Sequence, residues 1–343
     1  MKRFLRKAVL SFLVMVAFIA ALTISCSRKE MPVTRETFVM GSKCIISIYG
    51  MEEDAAAAIA GEAFHELARI DGLMSNWRGD SELSLLNDGP KDTPVEVSKE
   101  LFEIIERSIH YSGLTGGAFD VTARPLVRLW GFQRKDGELL LEKIPSAEAI
   151  SRTLLHTGSD KVILNRASLA ITLPAGMQID LAGIGKGYGV DRCVDILRGG
   201  GVKSALVNLS GNMYAIGTPP GREGWSIGIR EPHGENGIVG KVTIADEAIA
   251  TSGNYENFVI LGGRKYGHII DPRTGMTVDH LLSVTVVARS AIESDALSTG
   301  LFVLGPEASR ELSETFPGVR AAFALIDDSF EFMGSSGWKI ETK

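Results

Sequence analysis

The sequence predicts an α+β fold, mixed α/β in character. Helical and strand periods interleave along the chain, with no block of one kind. Apolar residues recur at helical spacing in several stretches, and short apolar or alternating runs bounded by glycine, asparagine and aspartate lie between them. Three hairpins are expected, around Asn165–Ser168, over Gly262-Gly263 and over Asp327–Ser329; a two-glycine connection is a favoured tight turn. The 343 residues suffice for one large domain or two packed lobes, and no repeat, low-complexity segment or clean boundary divides them.

At the start, Lys2, Arg3, Arg6 and Lys7 precede an apolar run from Ala8 to Ile24, the pattern of a secretory leader. Cys26 follows Leu22-Thr-Ile-Ser25, which resembles a bacterial lipobox with the leucine one place early. The expected organisation is a signal peptide over 1–25, a lipidated Cys26, a polar tether over 26–36 and a catalytic unit over 37–343; an uncleaved anchor is the alternative. Cleavage removes four positive and no negative charges, so the chain goes from −6 to −10. Such a balance argues against nucleic acid as a partner. It also means that an anionic substrate needs a local cation or a metal. Cys44 and Cys193 lie in apolar contexts without CxxC spacing, so two buried thiols are expected rather than zinc or redox chemistry.

In order, Phe38 to Tyr49 reads as a strand interrupted at Met40-Gly41-Ser42. Asp54 is expected to cap a helix with Ala60, Phe64, Leu67, Ile70 and Met74 on its apolar face. The polar stretch Ser75–Asn87 carries Trp77, an indole able to cover a flat ring. Ser98 and Ser146 cap further helices, and Arg124–Trp130 is a short helical segment. Strands are expected at Lys161–Leu164, Leu169–Leu173, from Met177, and at Ser204–Leu209, Trp225–Ile229, Gly240–Ile244 and Ala248–Ala250. Others fall at Phe258–Leu261, Tyr266–Ile270, Val284–Ala288, Ala322–Ile326 and Phe330–Met333. Thr251–Tyr255 reads as a polar turn. Ser294 caps a helix through Leu304, and Glu307–Phe316 follows as another.

The centre of the chain is Gln178–Asp191. It places Asp180 and Lys186 among Gly183, Gly185, Gly187 and Gly189, ahead of a helical run. A strand, a glycine turn and a helix N-terminus make a place where phosphate meets free backbone N–H groups. Neither the P-loop nor the Rossmann spacing is satisfied in any frame. Asp295 and Thr299 stand four apart on one helical face. A carboxylate and a hydroxyl are hard oxygen donors suited to Mg²⁺.

Taken in order, Met40-Gly41, Ser75–Asn87, Thr115-Gly-Gly-Ala-Phe-Asp120, Asp180–Gly187, Thr251-Ser-Gly253, His268-Ile-Ile-Asp-Pro-Arg-Thr-Gly275 and Asp295–Thr299 resemble the ApbE family of flavin transferases, from about Phe38 to Gly305. The resemblance implies a two-lobed single catalytic unit with mixed or antiparallel sheets and flanking helices. It implies an enzyme that cleaves FAD with Mg²⁺ and attaches FMN by a phosphoester bond to a threonine of an acceptor protein, releasing AMP. Acceptors in the family include subunits of sodium-pumping NADH:quinone oxidoreductase (Nqr) and of Rnf complexes. By motif position the metal takes the Gly183 carbonyl, Asp295 and Thr299. FAD meets Met40, Trp77, Ala118, Phe119, Asp120, Asp180, Lys186 and the backbone near Ile270. His268 is the candidate base, since imidazole exchanges protons near neutral pH; Asp271 and Arg273 rank below it as builders of the turn at Pro272. The family's address is an exported lipoprotein, here assigned to the inner membrane facing the periplasm. Two departures touch the cofactor contacts: Ser210-Gly211 stands where the family has Gly-Gly, and Trp77 where tyrosine is common. The competing readings are a hydrolase splitting FAD to FMN and AMP, and a flavin-binding lipoprotein without catalysis.

Overall fold

Short strands with one apolar face need a layer on that face, and the chain supplies it with helices that follow the strands in sequence. The computed structural model describes residues 31–132, 143–232, 237–254 and 258–334, with the backbone of Arg134–Lys135 and Glu138–Leu139. The expected leader, 1–25, and Cys26 lie outside the described residues.

The first third contains β1 (Val33–Val39), β2 (Ser42–Tyr49), α1 (Glu53–Met74), α2 (Glu82–Asp88), β3 (Val95–Glu96) and α3 (Lys99–Leu114). Next come α4 (Arg124–Leu129), β4 (Arg134–Lys135), β5 (Glu138–Leu139), α5 (Ala147–Leu154), β6 (Ile163–Asn165), β7 (Ala170–Thr172) and α6 (Gly185–Gly199). Then follow β8 (Ser204–Leu209), β9 (Asn212–Ile216), β10 (Trp225–Arg230), β11 (Ile238–Ile244), β12 (Glu247–Gly253), β13 (Phe258–Leu261) and β14 (Arg264–Gly267). The last elements are β15 (Leu281–Ala288), α7 (Ala291–Glu311), β16 (Arg320–Leu325) and β17 (Phe330–Met333).

Eight strands form one sheet in the order β1-β2-β8-β9-β12-β15-β16-β17. Every pairing in it is antiparallel. Successive side chains of a strand point to opposite faces, and β12 uses both. Ala248 joins the core under α1 and α6, with Leu67, Val190, Val194 and Val207. Its neighbour Ile249 joins the core under the β10–β11 hairpin, with Trp225, Ile227 and Val242. Helices therefore cover one face and a hairpin part of the other, so β15 is buried along nearly its whole length. Each leucine or isoleucine fully withdrawn from water contributes about 1.5–3 kcal/mol.

The hairpins over Gly262-Gly263 and Asp327–Ser329 and the pair β6–β7 form as expected. Ser98 and Ser146 cap α3 and α5 through their side chains. The break near Leu304 is also present: Gly305 adopts φ 77°, which only glycine holds without strain, and Pro306 follows it.

Other boundaries moved. The interrupted strand over Phe38–Tyr49 is a hairpin, with Met40 and Gly41 as its turn. Val33–Glu36, expected in the tether, already belong to β1. Glu52 rather than Asp54 occupies the cap of α1, and makes no side-chain cap bond. Ser290 caps α7 four residues before the expected Ser294, whose hydroxyl instead donates back to Ala291 inside the helix. The stretch from Met177 is extended and buried but joins no strand. Its ladder partner is a side chain: the Asn87 amide donates to the Ile179 carbonyl at 2.8 Å and accepts from the Ile179 N–H at 2.7 Å. Thr251–Gly253, expected as a turn, extend β12.

Cys44 and Cys193 are both free and buried. Burial pushes the Cys44 thiol up to about 12 and raises Cys193 as well, so neither is a thiolate at neutral pH.

Candidate active site

The site forms where loops from the helical side meet the ends of β8, β9 and β12. The first contribution follows α3. Gly116 and Gly117 sit at φ 59° and 79°, a left-handed pair that turns the chain sharply. The turn is fastened by Thr115, whose hydroxyl accepts from the Phe119 N–H at 3.0 Å. Asp120 then ties two loops together. It accepts from the Thr122 N–H and hydroxyl at 2.7 and 2.6 Å and from the Ser159 N–H and hydroxyl at 2.8 and 2.6 Å.

The second contribution is the glycine stretch. None of its four glycines adopts a positive φ. Their use is space between helices. A Cβ on Gly187 would stand 2.2 Å from the Ala291 carbonyl oxygen and 2.7 Å from Cβ of Asp295. One on Gly183 would stand 3.2 Å from the Phe119 ring and 3.5 Å from the Thr299 hydroxyl. The first turn of α6 thus lies directly on α7, and the Gly187 N–H donates to Asp295 Oδ2 at 2.8 Å. That N–H, expected to be open to a phosphate, is taken by a carboxylate. We predict that Gly187→Ala separates the two helices, costing about 1–3 kcal/mol or more of stability as overpacking does. A denaturant titration checks it; wild-type stability would contradict this packing.

The third contribution is α7. Asp191 of α6 accepts from the N–H groups of Ala291 and Ile292 at 2.7 and 3.0 Å, which pins the start of α7 to α6. Burial nevertheless pushes the Asp191 carboxyl up to about 6. One turn further on, Asp295 is 6% exposed. Burial raises its pKa, while the Lys186 charge, the Gly187 N–H and the Asn212 side chain pull it back. Thr299 lies 3.3 Å from the Ser252 hydroxyl, and Ser252 lies 2.8 Å from Ser298.

These pieces enclose a cavity of about 580 Å³. Of the expected residues, Trp77, Ala118, Phe119, Asp120, Asp180, Gly183, Lys186, His268, Ile270, Asp295 and Thr299 all line it. Met40 does not; it occupies the β1–β2 turn and its side chain packs toward Gly185 and Gly189 of α6. Trp77 is 72% exposed, so its indole is open to a flat ring. Asp120 lines the wall with its carboxylate already engaged. Asp180 accepts from the Ala182 N–H at 2.9 Å and closes the turn before α6. Asp271 is held by the Arg273 backbone and guanidinium at 2.9 Å, the turn-building role expected of both.

Ser252, which stands in the Thr251-Ser-Gly253 motif but carries no assigned role there, joins Thr299 because β12 runs on past Ala250. Two further wall residues have no signal in the sequence. Asn212 is 9% exposed, lines the cavity beside Asp295, and its Oδ1 has no hydrogen-bond partner. Arg124 lines it from the start of α4. Nothing in the local pattern separates these from ordinary polar positions.

Among the described residues no three of His, Cys, Asp and Glu gather as metal ligands. The donors offered are one buried carboxylate, a hydroxyl one turn away, and unsatisfied amide oxygen at Asn212. That set fits a small hard cation that keeps water and substrate oxygens in its shell, and does not suit zinc.

The chain matches the ApbE family over residues 40–323. It is 35% identical over 316 residues to a FAD:protein FMN transferase of Treponema pallidum, with 86% of this chain and 84% of that protein covered. Its structure resembles the crystal structure of an ApbE protein from Thermotoga maritima, with a TM-score of 0.80 and 31% identity, covering 88% of this chain and 96% of the other. It also resembles the flavin transferase ApbE from Vibrio cholerae, with a TM-score of 0.78 and 30% identity over 90% of this chain and 98% of that one. The family match spans every residue of the cavity wall, and the chain belongs to the ApbE family.

Proposed function

We propose that this chain is a FAD:protein FMN transferase that uses Mg²⁺ and attaches FMN to a threonine hydroxyl of an acceptor protein. The observation that carries this reading is the joining of Asp295, Thr299, Lys186, His268 and the open Trp77 indole in one cavity wall. The names of the relatives support the reaction class.

In the reaction the acceptor's threonine oxygen forms a bond to the flavin-side phosphorus of FAD. The P–O bond to the adenylate breaks, AMP leaves, and His268 takes the threonine proton. Transfer at phosphorus depends on charge neutralisation and positioning more than on covalent help from the protein. Gly183, Asp295 and Thr299 are the residues that would hold Mg²⁺, which when bound supplies positive charge at the phosphate oxygens. Lys186 adds a fixed positive charge at the same end of the cavity. Trp77 holds a flat ring of the dinucleotide, since an exposed indole loses little by being covered. Ala118, Phe119 and Ile270 give that ring apolar contact, and Asp120 acts by shaping the wall. A passive flavin carrier needs neither the buried carboxylate nor a base.

The acceptor class is an electron-transport subunit of the Nqr or Rnf kind, met at the exported face of the inner membrane. The lipid on Cys26 keeps the enzyme there. Cys26→Ala is expected to leave the precursor unprocessed or free the domain from membranes, read by fractionation and mass; unchanged processing and attachment would exclude lipidation.

The experiment that separates transfer from hydrolysis is AMP release with and without acceptor. A transferase gives AMP in proportion to acceptor added. Equal AMP in the absence of any acceptor assigns the chain to FAD hydrolysis instead.

A further inference from the structure

The cavity wall holds three carboxylates, Asp120, Asp180 and Asp295, against the cations Lys186 and Arg124. Asp120 is spent on its loop bonds and Asp180 on the Ala182 N–H. Lys186 and Arg124 each feel an acid, Asp295 and Asp180 respectively, from beyond ion-pair distance; what sets Arg124 apart is a buried donor without an acceptor. Its guanidinium makes no hydrogen bond and no ion pair with the described residues, and its Nε is buried without a partner. The residue is nonetheless half-buried and opens into the cavity between Ala123 and Val127. A guanidinium presents five donors in a planar fork and is costly to withdraw from water without acceptors. Burial lowers its pKa, and Asp180 offsets this only from a distance. Such a donor set, left unspent inside a site, points to an acceptor that arrives with the ligand.

We propose that Arg124 is an anion-binding residue of this cavity and that its anion is the diphosphate of FAD. This rests on the reading of the cavity as the FAD site. A dinucleotide diphosphate brings two negative charges into a wall whose own charges sum to one negative, in a chain of net charge −6. Lys186 and a Mg²⁺ held by Asp295 and Thr299 would meet part of that charge, and Arg124 is the remaining cation of the wall, with a donor still unspent. Arg124 and Lys186 both line the cavity, and the guanidinium geometry suits two phosphate oxygens at once.

The test compares wild type, Arg124→Met and Arg124→Lys by flavin-fluorescence titration with FAD and, separately, with riboflavin, which lacks phosphate. One charge-assisted hydrogen-bonding group lost corresponds to about tenfold to a hundredfold weaker FAD binding in Arg124→Met. Arg124→Lys falls between, since it keeps the charge and loses the fork. Riboflavin affinity is expected to stay at the wild-type value, and Arg124→Met to unfold at or above the wild-type temperature, because it removes an unpaired buried donor. If FAD and riboflavin weaken equally, Arg124 contacts the ring and the proposal is wrong. If FAD binding is unchanged while the KM for the acceptor rises, the anion belongs to the acceptor and the proposal is equally wrong. Failure of wild type itself to bind FAD overturns the reading of the cavity and this inference with it.

Discussion

His268→Ala is expected to bind FAD with nearly wild-type affinity and to flavinylate its acceptor about 10²–10⁴-fold more slowly. A threonine hydroxyl is a weak acid, so assistance by a positioned base at attack matters in that range. On the proposed reading FAD affinity rests on other atoms: the indole of Trp77, the cations, and the oxygen set on α7. His268 lines the same cavity as Asp295 and Thr299, from the segment after β14. The measurement pairs FAD titration with the flavinylation rate of the same variant. A rate near wild type would make His268 structural and move the search for a base to Asp271. That residue is now bound to Arg273 and would have to release it first.

The second large effect belongs to α7. Asp295→Ala removes a charged oxygen donor and Thr299→Ala a neutral one, so the first is expected to weaken the Mg²⁺ response far more. A unit charge pair at ~4 Å in a partly screened site is worth about 4 kcal/mol, close to three decades of affinity. A lost neutral hydrogen-bonding oxygen costs about 0.5–1.5 kcal/mol, tenfold at most. The pH dependence has a definite sign. Burial raises the Asp295 carboxyl, so its folded pKa lies above its unfolded one. Its contribution to stability is therefore present below the unfolded pKa and lost as pH rises through the folded pKa, where the buried group becomes charged. Mg²⁺ binds the charged form. Its stabilisation should grow as pH rises through the folded pKa of Asp295, and this pH dependence should vanish in Asp295→Ala. Mg²⁺ stabilisation in Asp295→Ala equal to that of wild type at every pH would exclude Asp295 as the ligand.

Hairpins were legible because their turns are local: Gly262-Gly263 needs nothing beyond its own residues. The β8–β9 hairpin was missed for a related reason. Its turn is Ser210-Gly211, with Ser210 itself at φ 51°, and serine gives a weaker signal there than asparagine. The stretch from Met177 carries strand-like residues, yet Asn87, 92 positions away, supplies its hydrogen bonds, and no local window contains both. The glycine run serves two ends: Gly183 lines the cavity, as its pattern implies, while Gly187 makes room for Ala291 and Asp295, which no local window shows. Most of the cavity wall was nevertheless named in advance, because motif order survives in sequence. Arg124 and Asn212 were not, since their role depends on burial set by distant elements.

Intact mass of an acceptor after incubation with the purified chain, FAD and Mg²⁺ tests the central claim most directly. A flavin-accepting subunit of a sodium-pumping NADH:quinone oxidoreductase is the probe, alongside its threonine-to-valine variant. The account predicts that the threonine form gains the mass of one FMN unit, with one AMP released for each, and that the valine form gains nothing. AMP and free FMN appearing together while the acceptor's mass stays unchanged would contradict it.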